Sequence, residues 1–242
     1  MPKAMARPRD FVLVHGAWHG GWCYARVAER LRAAGHRVFT PTLSGLGERA
    51  HLARLGKIDL SVHIGDVTGV IGWEQLQDVV LCGHSYGGLV VGAVADAMPE
   101  RIASLVYLDA IIPEDGKAML DYLEPAMAAG FVQAAKENHG LLPPVPAAVL
   151  GVNPADQAMV DALCTPQPFA TYTQSLALSG GHLAIAKTAY VRATDWPGAE
   201  RTREAHDHRA KADGWAVFEA AGGHDLMLDA PAEVARILLQ VA

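Results

Sequence analysis

Hydrophobic and polar positions along this chain follow two periods in turn. Short apolar runs at 11–14 (FVLV), 36–43 (HRVFTPTL), 79–82 (VVLC), 102–108 (IASLVYL), 188–194 (TAYVRAT) and 215–220 (WAVFEA) are rich in β-branched and aromatic residues. Glycine or polar clusters bound them, which predicts strands. Between these runs the spacing turns helical. Val27 and Leu31 lie on one face of 24–34, which Gly35 closes, and Val62, Val67, Val70 and Ile71 on one face of 60–76. A further apolar helix begins at Leu89, a charged one occupies 200–211, and a last one runs over 231–241. Strands alternating with helices predict an α/β fold, with a mostly parallel sheet of about six strands covered on both faces.

The alternation breaks between about 113 and 183. Prolines crowd this stretch (Pro125, Pro143, Pro144, Pro146, Pro154, Pro166, Pro168) among short helical pieces, and no run in it has strand character. An excursion of this length inside one compact domain, here taken as 1–242, reads as a lid or binding insertion. Its apolar residues, among them Met119, Tyr122, Phe131, Phe169 and Tyr172, predict an apolar acyl or aromatic pocket.

Composition narrows the class. A chain of 242 residues that is 51% hydrophobic can bury one sizeable core. The net charge is −6 with both signs mixed along the sequence, so no face is built for nucleic acid or an anionic membrane. His206 and His208 fall in the charged stretch and are expected on a solvated helix face. Three widely spaced cysteines (Cys23, Cys82, Cys164) argue against a disulfide framework, and Cys82, inside an apolar strand, reads as a small core residue. The start MPKAMARPRD is basic but leads only into FVLV, too short for a signal peptide or a membrane span, so a cytoplasmic protein is expected. The sequence does not fix the oligomeric state and leaves a homodimer open.

Candidate chemistry centres on DVVLCGHSYGGLVV. The apolar strand stops at Gly83, a helix starts a few residues later, and Ser85 stands at the apex of G-x-S-x-G. The glycines let a strained turn pass close to neighbouring chain, which pushes the serine hydroxyl out at the head of a helix. A serine hydroxyl is a weak nucleophile at neutral pH and needs a base, normally a histidine held by a carboxylate. Among eleven histidines, His224 in AAGGHDLMLDAP is the leading candidate. It follows the last strand, and the order serine, acid, histidine suits this architecture. The loop after the first strand, HGAWHGGW, leaves the same rim of the sheet, and its backbone can offer an N–H toward a reacting carbonyl. Ala17 and Tyr86 would supply the two donors of an oxyanion hole. His15 and His19 have four-residue spacing, but in a glycine-rich loop rather than on a helix, so no metal site is read there.

HGAWHGGWCY, GHSYGG, LDAIIPEDG and GGHD together resemble the α/β-hydrolase superfamily, in the branch that holds plant methyl-ester esterases, hydroxynitrile lyases and bacterial esterase relatives. The resemblance covers nearly the whole chain and is weakest in the insertion, where this superfamily carries its substrate-binding cap. It implies Ser85 as nucleophile, His224 as base, and Ala17 and Tyr86 as oxyanion donors. Hydroxynitrile lyases of this branch carry a lysine directly after the catalytic histidine and a threonine after the histidine that ends the first strand; here Asp225 and Gly16 stand there, which favours ester chemistry. The family's acid usually lies about twenty-eight residues before the histidine, and counting back reaches Trp196. Asp195 beside it and Asp109, at the end of the strand after the serine's helix, are the two alternatives, of which Asp109 is favoured because a triad acid needs hydrogen-bond reach rather than a fixed position.

The expected activity is that of a serine carboxylesterase for small, fairly apolar esters, with no metal or organic cofactor. A hydroxynitrile lyase or carbon–carbon bond hydrolase on the same frame, and a small-molecule receptor that has lost catalysis, are the alternatives.

Overall fold

A computed structural model describes residues 8–198 and 200–242; the basic start of the chain, 1–7, lies outside them. The elements follow in the order β1 Asp10–Val14, α1 Ala25–Ala33, β2 Arg37–Phe39, α2 Leu60–Trp73, β3 Val79–His84, α3 Gly87–Ala97 and β4 Ile102–Leu108. Then come α4 Pro125–Glu137, β5 Leu141–Leu142, α5 Pro154–Leu163, β6 Gln167–Pro168 and α6 Ala170–Thr173. The chain closes with β7 Lys187–Ala193, α7 Glu200–Ala212, β8 Ala216–Ala220, α8 Leu226–Asp229 and α9 Pro231–Val241. No described helix is long and apolar enough to cross a membrane.

Six strands form one sheet in the order β2-β1-β3-β4-β7-β8, every neighbouring pair parallel. Its central strands are sealed on both faces: β3 is buried along its whole length, and Phe11 and Leu13 face one apolar cluster while Val12 and Val14 face the other. That explains why these strands read as unbroken apolar runs rather than as alternating ones. The chain goes from β1 outward to β2, then returns to the other side of β1 as β3. The loops leaving the carboxyl ends of β1 and β3 therefore diverge, and an open parallel sheet offers its ligand crevice at such a reversal.

Four details differ from the sequence reading. The 36–43 run is a strand only over Arg37–Phe39, because Pro41 cannot donate to a ladder. The stretch between β4 and β7, expected to lack strands, holds the short antiparallel pair β5 and β6. The 60–76 helix ends at Trp73, with Gln75 just beyond it at φ 52°. His206, expected on a solvated face, is buried against the rings of Tyr122 and Tyr190. Burial pushes its pKa down to about 4, so the imidazole stays neutral inside an otherwise charged helix. His208 is exposed as expected.

Candidate active site

Ser85 sits between β3 and α3 with φ 52°, in the left-handed region that side chains other than glycine seldom adopt. A Cβ on Gly83 would lie 2.6 Å from the Gly87 carbonyl oxygen, and one on Gly87 would lie 2.7 Å from that of His15. Neither position admits a side chain without moving backbone, so the glycines of G-x-S-x-G are dictated by the crossing of β1, β3 and α3. The turn leaves Ser85 partly accessible at the head of α3.

Asp109 directly follows β4 at φ 44°, and His224 follows β8 in the bend of 221–224. The three side chains form one line. The Ser85 hydroxyl lies 2.8 Å from His224 Nε2, and His224 Nδ1 donates to Asp109 Oδ2 at 2.7 Å. With Nδ1 carrying the proton, Nε2 is free to accept one from the serine. Burial opposes ionisation of Asp109, but the hydrogen bond and charge of His224, the Arg203 guanidinium and the Ala193 N–H outweigh it and hold the carboxyl below the usual carboxylate range. Asp195 does not join this line. Its carboxylate is exposed and accepts from Thr194 Oγ1 at 2.7 Å, while its N–H donates to the Gly222 carbonyl at 3.0 Å.

The loop after β1 reaches the same rim. His15 is fully buried and pins it: Nδ1 donates to the Gly16 carbonyl at 2.8 Å, and Nε2 accepts the Leu43 N–H at 3.0 Å. Burial drives the His15 pKa down to about 3, which keeps the acceptor nitrogen free. Among the described residues, neither the Ala17 nor the Tyr86 N–H donates to a backbone carbonyl or a side chain. A Cβ on Gly16 would lie 2.8 Å from His84 Nδ1, so the threonine found there in hydroxynitrile lyases conflicts with His84. Tyr86 is buried, its hydroxyl donating to His63 Nδ1 at 2.9 Å and its ring stacked on Tyr172 of α6 at 5.7 Å.

Sequence reasoning missed three neighbours. Trp196, at the position where counting back expects an acid, lays its ring 4.2 Å from that of His224 and donates Nε1 to the Val149 carbonyl at 2.9 Å. Arg203 of α7 is buried, with Nε 3.3 Å from Asp109 Oδ1, and its guanidinium donates to the carbonyls of Ala193, Trp196 and Gly198. The third is a buried pair: His19 Nε2 donates to Asp225 Oδ2 at 2.9 Å, with side chains 2% and 0% exposed. Only the last had a visible signal, since both residues belong to motifs already singled out. Arg203 was hidden by a helix whose composition is that of a solvated surface.

Taken together, the parallel sheet, the serine turn and the aligned histidine and carboxylate define a hydrolase architecture, and a model of the alpha/beta hydrolase family matches residues 11–237: the chain belongs to that family. Among its relatives, a carbendazim hydrolyzing esterase from Nocardioides sp. (strain SG-4G) is 44% identical over 238 residues, covering 95% of this chain and 98% of the relative. Methylesterase 2 of Arabidopsis thaliana is 31% identical over 150 residues, 55% of this chain and 53% of that protein. With the family, these relatives put the chain among the carboxylic ester hydrolases. The same fold is seen in an extracellular alpha/beta-hydrolase from a Paenibacillus species, with a TM-score of 0.83 at 23% identity over 97% of this chain and 99% of that one.

Proposed function

We propose that the chain is a serine carboxylesterase in which Ser85 is the nucleophile, His224 the general base and acid, and Asp109 the carboxylate that orients His224. The observation that carries this reading is the unbroken hydrogen-bond line from Ser85 Oγ through His224 to Asp109, at 2.8 and 2.7 Å. Ser85 attacks the ester carbonyl while His224 Nε2 takes its proton, and the same proton then goes to the departing alcohol. Water enters, His224 activates it, and the acyl-enzyme is cleaved to the acid. The N–H groups of Ala17 and Tyr86 stabilise the oxyanion of both tetrahedral intermediates, an effect for which each donor typically contributes about 100-fold to 1000-fold in rate.

The substrates are esters of small, fairly apolar molecules, and residues 113–183 act as the cap that sets their size. Support comes from the aromatic character of that segment where it meets the site: Phe131 packs edge-on against both Trp18 and Tyr172. The lyase alternative asks for a cation next to the base, whereas the residue there, Asp225, is an acid bonded to His19.

Turnover of an activated phenyl ester by the Ser85→Ala variant tests the reading: a fall of at least about 1000-fold is expected, and full turnover would refute it. An ester panel varying acyl and alcohol size separately, with carbendazim included because the 44% identical relative hydrolyses it, then locates the substrate class.

A further inference from the structure

Beside the serine, histidine and carboxylate lies a second set of ionisable groups that the proposed mechanism leaves unused. His19, in the loop after β1, and Asp225, directly after the base, meet at 2.9 Å with both side chains sealed from water. Both His19 ring nitrogens donate. Nε2 gives its hydrogen to the carboxylate, and Nδ1 gives its hydrogen to the Ala17 carbonyl at 2.8 Å. A carbonyl can only accept, so Nδ1 must carry a hydrogen, and with an ionised Asp225 at Nε2 the ring is an imidazolium facing a carboxylate. Burial opposes that charge, but Asp225 overrides it and holds the His19 pKa well above its ordinary value, and His19 in turn holds Asp225 well below the usual carboxylate range against its own burial.

A buried ion pair is a poor source of net stability, since both charges must leave water. What this one does well is geometric. The Ala17 carbonyl accepts the His19 N–H at 2.8 Å as well as Nδ1, so residues 17–19 are clamped. That clamp fixes the direction of the Ala17 N–H, which has no acceptor among the described residues. At its other end the pair holds Asp225, whose neighbour His224 is further tied down where its carbonyl accepts His84 Nε2 at 3.0 Å. The pair thus bridges the loop that offers the oxyanion donor and the loop that carries the base, two segments 206 residues apart in sequence.

We propose that the His19–Asp225 pair is a positioning device that sets the Ala17 N–H against the reacting carbonyl in register with His224. The proposal rests on the esterase reading of the site and extends it to residues that touch neither substrate nor reacting atoms.

Asp225→Asn and His19→Gln test it, assayed per folded site with an activated phenyl ester, beside Ser85→Ala. Each is expected to lower kcat by about 10-fold to 100-fold, as displacement of a catalytic donor does, with KM within about threefold. Binding of a trifluoromethyl ketone, which forms an oxyanion on Ser85, should weaken in proportion to the loss in kcat/KM. The double variant should be no worse than the poorer single one, as for two residues acting through one contact. If both variants keep kcat within threefold while Ser85→Ala is dead, the positioning role falls and the triad stands; if Ser85→Ala is fully active, the esterase mechanism itself falls. Should neither variant fold, nitrogen-15 histidine spectra of the native enzyme with Ser85 phosphonylated decide. A His19 ring with both nitrogens protonated, neither giving the far-downfield resonance of an unprotonated imidazole nitrogen, supports the pair, and a neutral His19 overturns it.

Discussion

At the scale of single residues, the environment of Asp109, rather than its sequence position, supports its proposed role as triad acid. It is held at a left-handed backbone angle of 44°, and Ala193 N–H and Arg203 occupy one carboxylate oxygen while His224 has the other. Asp109→Asn is expected to lower kcat by about 1000-fold to 10000-fold, because an amide can donate to Nδ1 and trap the wrong tautomer, and Asp195→Asn to change it by less than about twofold. Steady-state kinetics of the two variants checks both. The reverse result, with Asp195 indispensable and Asp109 dispensable, would transfer the role. Sequence reasoning could expect Asp109 to meet a partner, because a carboxylate at a buried strand end needs one. It could not see that Trp196 covers the imidazole face, since nothing in a tryptophan's local pattern says which ring it will meet.

At the scale of elements, the site is assembled by strand ends and by one helix that composition disguises. The carboxyl ends of β1, β3, β4 and β8 deliver Ala17, Ser85, Asp109 and His224, and α7 adds Arg203. Removing that guanidinium by Arg203→Met leaves the Ala193, Trp196 and Gly198 carbonyls without their donor and Asp109 without its cation. An unfolding free energy lower by about 3 to 5 kcal/mol is expected, as for other broken buried pairs, measured by urea denaturation at constant m. A change under about 1 kcal/mol would mean the buried charge is dispensable. The strands β3 and β4 and the helix α9 were legible because fully buried apolar runs and a proline-started amphipathic helix leave unmistakable periods. The segment between β4 and β7 was legible only as an excursion. Its attachments are hydrogen bonds to single atoms, such as Trp18 N–H to Gln167 Oε1 and Trp18 Nε1 to the Leu142 carbonyl, both 3.1 Å, and no residue spacing encodes those.

At the scale of the whole molecule, buried histidines tie stability to pH. Burial lowers the pKa of His15 and His84 to about 3 and of His63 and His206 to about 4, below the 6.5 expected of them in the unfolded chain. Each ring thus binds its proton more weakly when folded, so stability falls as pH drops below about 6.5. The slope should approach ~5 kcal/mol per pH unit, about four protons taken up on unfolding, at pH values well between the two sets of pKa. His19 acts in the opposite sense: its raised pKa makes its contribution full below about pH 6.5 and lost as pH climbs through the folded value. Chemical denaturation from pH 4.5 to 8 checks this, and stability independent of pH between 4.5 and 6.5 would contradict the neutral burial of these rings. In the proposed mechanism Ser85 carries the acyl group during turnover. Acid-quenching the enzyme within milliseconds of mixing with an activated phenyl ester, then mapping peptides by mass, tests it most directly. One acyl group per chain is expected on the peptide that holds Ser85; no covalent adduct, or one on another residue, would contradict the serine mechanism.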